Sequence, residues 1–166
     1  MKKILLIALV FVLSSCVKTK TYKDKLQVHH ENLEPQEITI KKYNDALFSI
    51  DTAHFAEGLK AIKDDYMVFL GGDLDDADAV AYLKAFAVDT LCIRLNKMVQ
   101  KKFSDDSELK KEIKAVYQRL SYYYSGIEIP ETYFYVSGVD YEIPAVMVQP
   151  NAVLISMDYY LGNENK

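Results

Sequence analysis

The sequence predicts an α+β fold, about five helices followed by a three-stranded antiparallel meander, on three observations. Between Glu37 and Gly126 apolar residues recur at helical spacing. After Pro130 the runs become β-branched and aromatic. The pairs Ser137-Gly138 and Pro150-Asn151 separate those runs as turns.

Element by element, Ile38 and Ile40 suit a short strand or lead-in, and Tyr43, Leu47 and Ile50 continue on a helical face. A second helix takes Asp51 or Thr52 as cap, carries Phe55, Leu59, Ile62 and Tyr66 along one side, and stops at Gly71-Gly72. The third follows the acidic run at Asp76 with Val80, Leu83 and Phe86. The fourth bears Val88, Leu91, Cys92, Leu95 and Val99, reaching Phe103. In the fifth, Asp105 and Glu108 have capping-box spacing, Leu109, Ile113, Val116 and Leu120 form the stripe, and Gly126 suits the end. The strands are Tyr133 to Val136, Val146 to Val148 and Val153 to Ile155. Their two faces are both apolar at several positions, so helices are expected on one side and a further layer is needed on the other.

Ahead of this domain lies a targeting pattern. Lys2 and Lys3 precede the uncharged apolar run Ile4 to Leu13, too short to span a bilayer, and Leu13-Ser14-Ser15-Cys16 resembles the lipobox of bacterial lipoproteins. The expected organisation is a signal peptide over 1–15, a lipidated Cys16 with a flexible tether over 16–36, and the α+β domain over 37–166. Acyl chains on Cys16 make the lipid bilayer a partner, and stable anchoring takes more than one chain. The competing readings are a short uncleaved anchor and a chance cysteine behind an ordinary secretory signal.

The whole chain carries 20 basic and 24 acidic side chains. Losing Lys2 and Lys3 with the leader leaves 18 against 24, a formal charge of −6, which argues against nucleic acid or anionic lipid as the main partner. Once Cys16 is acylated, Cys92 has no cysteine to pair with, and its apolar helical stripe suits a packed thiol better than a nucleophile.

Catalytic chemistry is not legible. His29 and His30 lie in the tether without a second histidine at zinc-helix spacing, and His54 suits a local cap partner. Asp73, Asp75, Asp76 and Asp78 crowd together, but Ala77, Asp78 and Lys84 stand at three positions of a calcium loop that require other residues. Helix capping accounts for the cluster. No catalytic, metal or cofactor-binding residue is therefore assigned. Thirteen tyrosines are the strongest oddity. Of these, Tyr122, Tyr123, Tyr124, Tyr133, Tyr135, Tyr159 and Tyr160 are the candidate interface, set against ordinary helix-on-sheet packing with hydroxyls at the edge.

Phe48-Ser49-Ile50-Asp51, the aromatic "LSYYYSGIEIPETYFYVSG", and Ile155-Ser156-Met157-Asp158 followed by Tyr160-Leu161-Gly162 resemble, in that order, the gliding-motility lipoprotein GldB family. That resemblance implies an envelope lipoprotein with an accessory or scaffold role in the motility machinery and with envelope protein partners. It further implies an amino-terminal portion truncated at its C-terminus, because members of the family run on beyond the "LG" motif into a second, helix-containing half, and a larger zincin-like fold, because the family is distantly similar to predicted zinc-dependent proteases. The alternative reading is the amino-terminal half of a zinc-peptidase-like hydrolase whose metal helix lies beyond Lys166. Since Val17-Lys18-Thr19-Lys20 follows Cys16 in place of acidic residues, a periplasm-facing domain is expected.

Overall fold

The computed structural model describes residues 33–162 apart from Pro35. The leader, Cys16, His29 and His30 lie outside the described residues, and every element below belongs to the compact unit Glu34–Lys166.

The chain enters through β1 (Ile40–Lys42) and passes directly into α1 (Tyr43–Phe48). Asp51 caps a 3-10 turn (Thr52–His54) by accepting from the Ala53 amide, and α2 (Phe55–Ile62) follows. The predicted second helix breaks there. Its stripe continues through a turn, in which the Tyr66 amide donates to Ile62 and Lys63, into the single turn α3 (Met67–Leu70). Next come α4 (Ala77–Val88), capped by Asp76, and α5 (Thr90–Lys102), capped by Asp89 through the amides of Leu91 and Cys92. The long α6 (Ser107–Tyr123) completes the helices. No helix among the described residues is long and apolar enough to cross a membrane.

The sheet contains β2 (Glu131–Tyr135), β3 (Val146–Gln149) and β4 (Ala152–Ser156), with β1 as a fourth strand. Its order is β1-β2-β4-β3; β1 and β4 both run parallel to β2, and only the β3–β4 pair is antiparallel. The α+β class stands, while the meander is corrected to a mixed sheet. Ser137-Gly138 does not close a hairpin. Residues 136–145 form an excursion longer than a hairpin loop, and β4 then inserts between β2 and β3. The inserted strand is the more apolar one. Ala152, Leu154 and Ser156 are buried on β4, whereas Val146, Val148 and Gln149 of β3 are exposed, which suits an edge.

Strand β2 is buried on both faces and divides the core. Tyr133 and Tyr135, with Leu154, meet Tyr43 and Leu47 of α1, Phe55 and Leu59 of α2, and Leu70 of α3. On the opposite face Phe134 and Val136 meet Leu95 and Val99 of α5, together with Met157 and Leu161. The second layer expected from the strand pattern is therefore supplied by α5 and α6 of the same unit. Tyr43 and Phe69 stack at 4.1 Å, a contact worth about 1 kcal/mol beyond burial. Gly58 permits the approach of α2 to the chain before it, since a Cβ there would meet Ile50 Cγ2 at 2.3 Å.

Cover on the α6 side stops short of β3. Val116, placed in the predicted stripe, is 57% exposed. It lines an open apolar groove of about 540 Å³ with Ile113, Leu120, Val148, Val153 and Ile155. The helix start also differs from a capping box, because Asp105 accepts from the Ser107 amide at 3.0 Å and Asp106 occupies the cap position.

Candidate functional site

Parallel β2 and β4 bring two distant segments to one end of the sheet, the carboxyl ends of both strands. After β4 the chain makes a 3-10 turn (Met157–Tyr160) that buries Asp158 to 5% exposure. Its carboxylate accepts from the Ser137 amide at 3.1 and 3.2 Å, the Ser137 hydroxyl at 3.0 Å and the Val139 amide at 2.8 Å. The Ser156 hydroxyl adds a donor at 2.6 Å. Gly138 and Val139 both take positive φ, and in this turn the amides of Ser137 and Val139, two residues apart, both face the carboxylate. Positive φ is strained for a β-branched residue such as Val139, and the bonds to Asp158 hold it there.

Chemically this cluster is an anchor. A buried carboxylate is costly unless its lone pairs are filled, and here two amides and two hydroxyls fill them. Tyr159 fastens the same excursion by donating to the carbonyls of Asp140 and Ile143. The sequence showed Ser137-Gly138 and Ser156-Met157-Asp158 as separate motifs. The signal that would have joined them is a carboxylate just behind a buried strand, in a chain whose earlier turn offers free amides.

The tyrosines divide. Tyr122, Tyr123 and Tyr124 are 60%, 54% and 64% exposed at the end of α6, with the first two rings 5.2 Å apart edge to face. Tyr160 is also exposed, and Tyr159 is half-buried against the excursion. Tyr133 and Tyr135 lie in the core, and burial raises the pKa of both hydroxyls. Tyr133 donates to Glu131, which Lys41 pairs at 3.0 Å. Tyr117 meets the Thr132 hydroxyl at 2.7 Å, tying α6 to β2.

Cys92 is buried, and that burial, reinforced by nearby Asp89, pushes its thiol up to about 11. A Cβ on Gly138 would meet Cys92 Sγ at 3.3 Å, so the thiol serves as packing beneath the excursion. His54 is exposed and faces Asp51 at 3.3 Å. Asp73 and Asp76 accept local backbone amides, and Asp75 pairs with Lys60. Among the described residues no group of three or more His, Cys, Asp and Glu side chains is placed to hold a metal ion.

Comparison with curated proteins and with solved structures finds no match. A family described as gliding motility protein GldB matches over residues 23–166, and that match takes in β1 through β4 and the Asp158 anchor. On the extent of that match, the chain belongs to the gliding motility protein GldB family.

Proposed function

We propose that this chain is an envelope-anchored accessory or scaffold of the gliding machinery, held to the bilayer by acylated Cys16 and working through protein contacts from the periplasmic side. The family match supports the motility and envelope parts of this reading. The observation that carries the contact role is the aromatic exit of α6. Three consecutive tyrosines stand more than half exposed there, on the helix that also borders the open apolar groove. Aromatic side chains gather at protein interfaces because they bury large area at small conformational cost. Replacing Tyr122, Tyr123 and Tyr124 together by Ser should stop surface spreading of a gliding host while the protein accumulates normally. Cys16→Ala should do the same by releasing the protein from the membrane fraction. Normal spreading of a strain lacking the gene would remove the motility role.

A second reading, a hydrolase of the zinc-peptidase type, is favoured by the apolar groove between α6 and the β3–β4 face. An in-frame His-Glu-x-x-His helix encoded beyond Lys166 supports that reading, and an intact locus lacking one removes it.

A further inference from the structure

We infer that the groove between β1 and the first half of α6 is a docking surface for an anionic lipid bilayer. The groove, of about 550 Å³, has Ile38, Thr39 and Ile40 on one side and Lys110, Lys111 and Lys114 on the other. Apolar side chains beside a row of lysines fit the boundary between acyl chains and phosphate headgroups.

Local charge balance favours an anion there despite the acidity of the whole chain. Lys110 shares Asp106 with Lys42, at 2.9 and 2.8 Å, so this trio keeps one positive charge. Lys111 meets Glu108 at 3.6 Å with both side chains exposed, a pair worth little in water. Lys114 has no acidic partner among the described residues, and Glu112 does not line the groove.

Position supplies the second argument, which rests on the Cys16 anchor proposed above. The folded unit begins beside this groove: Gln118 of α6 donates to the Glu34 carbonyl at 3.2 Å, and the chain then runs along α6 to Ile40. Residues 17–33 separate Cys16 from Glu34, and a chain of that length reaches at most about 60 Å. In that stretch Lys18, Lys20, Lys23 and Lys25 outnumber Asp24 and Glu31, so its formal balance is also positive. An anchor at Cys16 thus tethers the groove to the headgroups by no more than that length.

The test uses the processed chain from residue 16 with Cys16→Ser, so that acylation plays no part, co-sedimented with phosphatidylcholine vesicles with or without phosphatidylglycerol. Binding is expected only to the anionic vesicles and should weaken as salt rises. Lys111→Glu with Lys114→Glu should lower it at least tenfold, leaving Lys110 to hold Asp106. An unchanged thermal midpoint shows that this variant remains folded. Equal binding to neutral vesicles overturns the proposal. So does unchanged binding of the double variant, including the case in which only Lys18, Lys20, Lys23 and Lys25 matter. A failure here leaves Cys16 anchoring untouched, because that is read from membrane fractionation of the acylated protein.

Discussion

The Val139 amide donates to the Asp158 carboxylate at 2.8 Å, joining the excursion after β2 to the turn after β4. Because these strands are parallel neighbours, the bond fixes both carboxyl ends at once.

Asp158→Ala should therefore be among the most damaging single substitutions. It strands two amides and two hydroxyls in a buried site, and each unpaired group costs about 1–3 kcal/mol. A loss of about 3 kcal/mol or more is expected in urea unfolding. Asp158→Asn should also destabilise, because its amide nitrogen would face donors. A small effect of the Asn variant would show that charge and acceptor count matter little here.

Cys92 should be inert toward thiol reagents near neutral pH. Its raised pKa leaves almost no thiolate, and burial blocks access. The reaction with a disulfide reagent at pH 8 is expected only at the rate of local or global opening, and mild denaturant should accelerate it steeply. Rapid stoichiometric labelling of the native protein would contradict the packing role.

Asp106 sets an acid limit on stability. Burial works to raise its pKa, yet hydrogen bonds and charge from Lys110 and Lys42 hold it below the usual value. A carboxylate with a depressed folded-state pKa contributes stability in full above its unfolded value of about 3.9, and that contribution disappears as pH falls through the lower folded value. Asp51, Asp75, Asp89, Asp105 and Glu131 are shifted the same way and reinforce the trend. Asp106→Asn should cost about 2 kcal/mol at neutral pH. The gap from the parent protein should begin to narrow below about pH 3.9 and close only below the lower folded-state value, as read by chemical unfolding at several pH values.

Helices and caps were legible because their signals are local. Asp51 and Asp76 cap where the acidic residues preceding apolar stripes pointed, and Cys92, Leu95 and Val99 are buried as their stripe suggested, although Val88 and Leu91 of the same stripe are exposed. The sheet order was not, since strand period says which residues alternate but not which strands adjoin. Pairing of Ile40 with Thr132 spans most of the domain, and nothing near either residue announces it. The candidate tyrosines failed to form one surface for a similar reason. Tyr133 and Tyr135 share the type of Tyr122 to Tyr124, but a central strand buries them. The lysine groove was not legible because its two sides come from segments far apart in sequence.

Late placement of β4 beside β2 sets a timetable for biogenesis. As the polypeptide emerges from its amino end, Thr132 to Tyr135 arrive before the neighbour that will occupy their second edge, and β3 emerges between the two. An apolar strand waiting with open backbone groups is a ready template for association between nascent copies. Folding of this protein should accordingly depend on a holding chaperone until residue 156 is free, more than its modest size alone would suggest.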